Sequence, residues 1–320
     1  MWQPSASIDT LKQRASMLAQ VRAFFTERGV WEVETPILSQ AGVSDVHLRT
    51  FETTFVGPRY AHGLPLFLHT SPEYAMKRLV TAGSGAIFQI CKVFRNEEAS
   101  SRHNPEFTML EWYRPGFDAF ALMAELEALI IDLLKCGKAE YLSYQTAFNM
   151  HLGVCPLTAD VATLKRLASD KGYADIAEIE DDKDTLLQLL FCMEVETQIG
   201  QEVPCFVYDF PASQAALARV NPEDTRVASR FELYFRGLEL ANGFDELTDA
   251  TEQKARFERD NAQRQAMDLP SVDIDTRFIA ALEAGMPDCA GVAVGLDRVM
   301  MLAFNKPTIA DVLSFDVTRA

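Results

Sequence analysis

The sequence predicts an α+β fold, with helices and antiparallel strands interleaved along one chain. Three observations carry that prediction. Helical periodicity at the N terminus gives way to runs of strand-like alternation. Two pairs of such runs lie next to each other in sequence, one pair flanking a loop near residue 100 and the other flanking Arg236-Gly237. The stretch DRVMMLAF then returns to helical spacing after a glycine-containing strand.

Each element can be justified in order. Over residues 8–28, Leu11, Ala15, Leu18, Val21 and Phe25 recur at helical spacing, with Ser7 placed to cap the start and Gly29 suited to the turn at the end. VWEVETPIL follows as a short strand-like run broken at Pro36. A second helix is expected from Ser71 through Ala82, then strands at AIFQICKVFRNE and FTMLEWYRP, then helical periodicity over 118–135. The stretch 155–230 is mixed and acidic, and no single period dominates it. Strand alternation resumes at Arg230. Without a low-complexity segment, a repeat or a Pro/Gly-rich linker, the chain reads as a single domain over 1–320 with an insertion at about 155–230.

Composition narrows the function classes. A chain of 320 residues with 48% apolar side chains can bury a large core. No apolar run approaches the roughly 18 residues of a membrane span, and the start, MWQPSASIDT, lacks the pattern of a signal peptide, so no membrane partner and a cytoplasmic location are expected. The six cysteines form no C-x-x-C pair, which argues against a zinc knuckle or a redox pair. A formal charge of −16 works against non-specific contact with nucleic-acid phosphates.

Chemistry concentrates in FRNEEASSRHNPEFTMLEWYRP, residues 94–115. In a regular strand Phe107, Met109, Glu111 and Tyr113 share one face and Thr108, Leu110 and Trp112 the other. A carboxylate between an aromatic ring and a phenol suits a site for a cation and a flat ring. As a buried structural group it would need its own partner. Arg95 and Glu97 also share a face; the alternative reading of such pairs is a surface salt-bridge ladder.

The second concentration is RFELYFRGLELANGFDEL, residues 230–247. A two-residue turn at Arg236-Gly237 sets Tyr234 opposite Glu239 and Glu232 opposite Ala241, with Glu232 and Glu239 diagonal on one face. Two like charges repel, and a bridging Mg²⁺ that also holds nucleotide phosphates would relieve that; two solvated strand carboxylates are the alternative. Asn242, Phe244 and Glu246 alternate onto a shared face beyond. The third feature, GVAVGLDRVMML, sets glycines at a strand end and Arg298 at the opening of a helix.

Taken together, these stretches resemble the motifs of class II aminoacyl-tRNA synthetases along nearly the whole chain. GVWEVETPIL with Pro36 is similar to motif 1, FRNE with RHNPEFTMLE to motif 2, and GVAVGLDR to motif 3. TSPEYAMKRL, NPEFTMLEWY and ELANGFDELTDA resemble the lysyl-tRNA synthetase branch. The resemblance implies a six-stranded antiparallel sheet flanked by helices, ATP as co-substrate, Mg²⁺, and a homodimer built around motif 1. Motif 1 begins within the first thirty-odd residues, which leaves no room ahead of it for an anticodon-binding OB domain. The chain is therefore most similar to synthetase paralogues that modify a protein. That likeness implies elongation factor P as acceptor, (R)-β-lysine as amino acid and no tRNA. Ala293 stands where lysyl-tRNA synthetases typically have glycine, and its methyl would disfavour an α-amino group and tolerate a β-amino group.

The same resemblance implies the roles. Arg95 would grip the α-phosphate and the substrate carboxylate, and Arg298 would stack with Phe107 around adenine, with Gly295 allowing close approach. Glu97 and Asn104 would hold the adenosine portion, and Asn96, His103, Glu239 and Leu240 would complete the ATP site. Glu232 and Glu239 would hold Mg²⁺. Glu246 and Tyr113 would bind the distal ammonium, and Glu73 with Glu111 the other amino group. Ser71, Pro72, Asn242, Phe244 and Ala293 would shape the pocket. The implied reaction is attack of the amino-acid carboxylate on the α-phosphorus of ATP, then transfer of the acyl group to an acceptor amine with loss of AMP. A minimal lysyl-tRNA synthetase, an amide-forming ligase acting on α-lysine, and an inactive regulatory paralogue are the alternatives. An aspartate-specific amide synthetase would need basic residues where Glu246 and Glu111 stand.

Overall fold

Helix α1 (Ile8–Glu27) opens the computed structural model, which describes residues 2–97 and 99–320, and Ser7 caps it by accepting from Thr10 N at 3.1 Å. Pro36 leaves the next run as two short strands, β1 (Trp31–Glu32) and β2 (Leu38–Ser39). A hairpin of β3 (Phe51–Gly57) and β4 (Tyr60–Leu68) follows, then α2 (Glu73–Thr81), β5 (Ile87–Phe94) and β6 (Glu106–Pro115). Next come α3 (Ala119–Leu134), β7 (Glu140–Ser143), α4 (Tyr144–Leu152), α5 (Val161–Asp170), α6 (Ala174–Ile179) and α7 (Lys183–Leu190). After a π-turn at Phe191–Val195 come β8 (Cys205–Pro211), β9 (Val227–Phe235) and β10 (Leu238–Asp245). Helices α8 (Ala250–Ala266) and α9 (Thr276–Glu283), strand β11 (Cys289–Gly295) and α10 (Leu296–Ala303) complete the order. The acidic residues that blur the pattern in 155–230 are partly helix caps: Asp160 and Asp182 accept from the first-turn amides of α5 and α7.

The chain divides into two compact units. The first comprises residues through Asp118, Asp132–Leu134 and Leu247–Ala320. Its larger sheet has the order β1-β5-β6-β11, antiparallel except for β1 on β5. A small sheet, β2-β4-β3, stands beside it in sequence. The even-numbered face of β6 is covered by α1: Phe25 stacks on Phe88 at 4.6 Å between centroids and meets Trp112 at 5.1 Å. Truncating Phe25, fully buried here, would cost about 3–5 kcal/mol. The buried side of α1 differs from the expected stripe: Thr10, Met17, Val21, Phe24 and Phe25 are buried while Ala15 is exposed. The helix is rotated because Arg14 turns inward to a buried ion pair, described below.

The second unit comprises Ala119–Ile131 and Lys135–Glu246, so α3 belongs to it through Ile131. Its strands run β10-β9-β8-β7, antiparallel except for β7 on β8. Each unit thus has three antiparallel strands of the expected kind, plus a short parallel edge strand that the resemblance does not imply. Arg236 and Gly237 have φ of 50° and 70°, the two positive values that a type I′ hairpin turn requires. Tyr144, Phe148, Leu187, Phe191 and Val207 form the core between the helices and strands of this unit, with Tyr144 stacked on Phe191 at 4.7 Å.

Candidate active site

In the first unit, strand pairing places two expected residues, Glu111 and Ala293, in one row with a third that was not expected. Glu111 of β6 lies opposite Gln89 of β5 on one side and Ala293 of β11 on the other. Directly opposed residues share a face, so the Ala293 methyl flanks the Glu111 carboxylate. Two further β11 residues on that face, Gly291 and Gly295, face Tyr113 and Met109, so the strand presents only small residues there. Glu111 is 2% exposed. The Tyr113 hydroxyl donates to its Oε1 at 2.6 Å and the Ser71 hydroxyl to its Oε2 at 2.7 Å. Burial first, then the charge of Glu73, push the Glu111 carboxyl up to about 7.

Helix α2 supplies the rest of this cluster. Pro72 is its N-cap residue, and Ser71 Oγ accepts from Glu73 N at 2.9 Å while donating to Glu111. Glu73 accepts from Lys77 Nζ at 2.5 Å, one helical turn on, and Lys77 is fully buried. Sequence reasoning missed Lys77, although its i,i+4 spacing from Glu73 was visible. Burying a lysine is tolerable only beside such a partner.

Around motif 2 the guanidinium of Arg95 lies 5.3 Å from the Phe107 ring centroid. Arg298, in the first turn of α10, donates from Nη2 to His103 Nε2 at 2.6 Å. Because an arginine can only donate, His103 accepts at Nε2 and carries its proton on Nδ1, which donates to Ser100 Oγ at 2.8 Å. A Cβ built on Gly295 would meet only the Arg298 side chain, at 3.8 Å, so no protein neighbour requires glycine there. Asn96 bridges to Arg49 through its amide, and the Glu97 carboxylate, at positive φ, accepts from Arg49 Nη1 at 2.6 Å. The Asn104 side chain donates to the Glu106 carbonyl at 2.6 Å and accepts from Val317 N at 3.0 Å, pinning the C-terminal segment to the loop.

The neighbour of Arg298 in the first turn of α10 was also missed by sequence reasoning. Asp297, 1% exposed, accepts from Arg14 Nη1 at 2.5 Å and from Thr108 N at 2.7 Å. Arg14 also donates to Thr108 Oγ1 at 2.7 Å and to the Val312 carbonyl at 3.2 Å. One buried ion pair therefore ties α1, β6 and α10 together at the base of motif 3. Only the adjacency of Asp297 to Arg298 could have marked it.

In the second unit the β9–β10 hairpin carries the other expected residues. Tyr234 faces Glu239, as the turn predicts, but Glu232 faces Asn242 and not Ala241. The reason is a bulge: Leu240 is an extra residue on β10, after which the register shifts by one. The shift leaves Glu232 and Glu239 on one face and brings Asn242 and Phe244 onto it, opposite Glu232 and Arg230. An unbulged strand would have turned Asn242 and Phe244 away from Glu239. A Cβ on Gly243 would fall 2.3 Å from the Phe231 ring, so this position requires glycine.

Glu232 receives the Arg230 guanidinium and the Tyr234 hydroxyl. Arg230, another residue outside the expected set, also donates from Nε to Asn242 Oδ1 at 3.3 Å and from Nη1 to the Gln214 carbonyl at 2.7 Å. Burial and then the charges of Glu232 and Glu239 raise the Tyr234 hydroxyl well above its ordinary value, so it stays a donor. Phe244 packs against Ala215, Ala218 and Ala228. Glu246 is 1% exposed and bridges to Ala218 through its backbone. Among the described residues no group of three or more His, Cys, Asp or Glu side chains could hold a metal by itself. Two carboxylates on one face are the smaller donor set that suits Mg²⁺, which takes its remaining ligands from phosphates and water.

No helix among the described residues is long and apolar enough to cross a membrane. Residues 3–319 match the tRNA synthetases class II (D, K and N). The chain is 61% identical over 320 residues to the elongation factor P–(R)-β-lysine ligase of Pseudoalteromonas translucida, covering 100% of this chain and 99% of that one. It is 60% identical over 319 residues to the ligase of the same name from Vibrio cholerae and 57% identical over 319 residues to that of Klebsiella pneumoniae, each covering 100% of this chain and 98% of the relative.

Proposed function

Because the chain belongs to the tRNA synthetases class II (D, K and N), we propose that it is an ATP-dependent ligase that activates (R)-β-lysine and transfers it to a lysine side chain of elongation factor P. Full-length identity of 57–61% to ligases of that name supports the reading. The observation that carries it is the row containing Glu111 and Ala293: a buried carboxylate beside Glu73 suits an ammonium, and a methyl beside it suits an amino group displaced from the α-carbon. The family match over residues 3–319 also supports taking 1–320 as one catalytic domain with an insertion at about 155–230.

The reaction runs in two steps. The substrate carboxylate attacks the α-phosphorus of ATP in line and pyrophosphate leaves, with Arg95 and Arg298 offsetting the charge that develops on the phosphoryl oxygens. A neutral lysine amine of the acceptor then attacks the adenylate carbonyl; AMP leaves, the amine loses a proton, and an amide remains. Phe107 suits an adenine face, and Leu240, as the extra residue of a bulge, suits a backbone contact to ATP. Glu232 and Glu239 would hold Mg²⁺, which supplies positive charge to phosphate oxygens. Arg230 keeps the Glu232 carboxylate in place.

A homodimer around motif 1 is supported by the exposure of Trp31, Ile37 and Leu38, large apolar side chains at 53%, 39% and 46%. An acceptor that serves translation sets the reaction in the cytoplasm. The deciding experiment offers purified elongation factor P and tRNA together with ATP, Mg²⁺ and isotope-labelled (R)-β-lysine or α-lysine, and weighs the products intact. One β-lysyl group on one lysine of the factor is expected, with tRNA uncharged. Label mainly on tRNA would establish a minimal synthetase instead.

A further inference from the structure

Gln89 belongs to the same row as Glu111 and Ala293, yet neither motif nor composition marks it. It is 3% exposed and lies directly opposite Glu111 in the β5–β6 ladder, so both side chains rise from one face. Its Oε1 is buried with no hydrogen-bond partner among the described residues. Such an oxygen is costly to leave unmatched, and buried acceptors in native proteins nearly always find a donor.

No neighbouring group donates to it in this structure. Each Glu111 oxygen already receives a hydroxyl, from Tyr113 and Ser71, and a carboxylate has no proton to give while ionised. The Lys77 ammonium is engaged by Glu73. Ala293 offers only a methyl. A bound primary ammonium, by contrast, carries three N–H donors in a tripod, and Glu73 and Glu111 account for two acceptors. We propose that Gln89 is a specificity residue whose Oε1 accepts the third N–H of the substrate's β-ammonium. The assignment rests on the β-lysine reading above. An amide here has a physical advantage over a third acid: it adds an acceptor without adding charge beside two carboxylates that already repel.

The test compares (R)-β-lysine with 6-aminohexanoate, which keeps the carboxylate, the chain and the distal ammonium but lacks the β-amino group. Amino-acid-dependent pyrophosphate exchange gives kcat/KM for the first, and competition gives the inhibition constant of the second. Gln89→Met should lower kcat/KM for (R)-β-lysine by about 10- to 100-fold while leaving the 6-aminohexanoate inhibition constant and the KM for ATP within about twofold. Gln89→Asn, which retracts the amide by one methylene, should follow the same pattern and serves if the methionine variant does not fold. Equal losses for both ligands would reduce Gln89 to a structural role, and no loss for (R)-β-lysine would remove it from the site; either overturns the proposal. A wild-type enzyme that binds the two ligands equally would overturn the β-lysine reading itself, whereas a wild-type preference that survives Gln89→Met overturns only the Gln89 assignment.

Discussion

Ala293 stands directly across the β6–β11 ladder from Glu111. Replacing Ala293 by glycine should therefore open the space beside the carboxylate without touching its hydrogen bonds to Ser71 and Tyr113. A methyl-sized change in a pocket is worth roughly 1–3 kcal/mol of discrimination. Activation of α-lysine relative to (R)-β-lysine should rise by that amount in Ala293→Gly, read as the ratio of kcat/KM in pyrophosphate exchange. An unchanged ratio would move the selectivity to the 71–73 segment.

Glu111 gives the site a pH signature. Burial and Glu73 hold its carboxyl at about 7 against an ordinary 4.5, so the folded protein binds more protons than the unfolded chain between those values. Its contribution to stability is therefore favourable at low pH, declines as pH rises through that window, and is level above it. A bound ammonium favours the ionised carboxylate. Binding of (R)-β-lysine should release close to a proton at about pH 6 and much less at about pH 8, measured by calorimetry in buffers of different ionisation enthalpy. Glu111→Gln should abolish the difference; if it persists in that variant, another group titrates.

The Arg14–Asp297 pair should matter to both stability and ATP binding. Removing one partner leaves the other buried and uncompensated, at a cost of about 3–5 kcal/mol. Arg14→Met should lower the midpoint of denaturant unfolding accordingly and raise the KM for ATP, because Asp297 precedes Arg298 in the first turn of α10. A stability loss with an unchanged KM would show that Arg298 is held by other contacts.

Glu246 is nearly fully buried, and its proposed partner is the distal ammonium of the substrate. Glu246→Gln keeps the shape and removes the charge, so amino-acid affinity should fall by about 3–5 kcal/mol while ATP binding barely changes. Equal amino-acid affinity in mutant and wild type, from pyrophosphate exchange, would assign the ammonium to other residues.

Much of this architecture is legible without coordinates, for local reasons. Strand alternation over Phe107–Tyr113 places Glu111 and Tyr113 on one face, and the structure has the Tyr113 hydroxyl on the Glu111 carboxylate. The Arg236-Gly237 turn is likewise visible, since glycine and a two-residue spacing are local signals. The Leu240 bulge is not. No residue type announces it, and it changes the partner of Glu232 from Ala241 to Asn242. The inward turn of Arg14 escapes helical periodicity because a charged residue counts as exposed until its partner, 283 positions away, is known.

The sequence alone therefore determined the fold class, the family, the elements that carry the motifs and the residue types available to the chemistry, because period, caps, turns and motifs depend on near neighbours in the chain. Only the tertiary structure decided the register that sets Gln89, Glu111 and Ala293 in one row, the ion pair that anchors α10, and the raised carboxyl of Glu111. Those depend on pairing and burial between distant segments. Ladder hydrogen bonds choose which side chains face each other, and loss of water chooses which of them hold their protons.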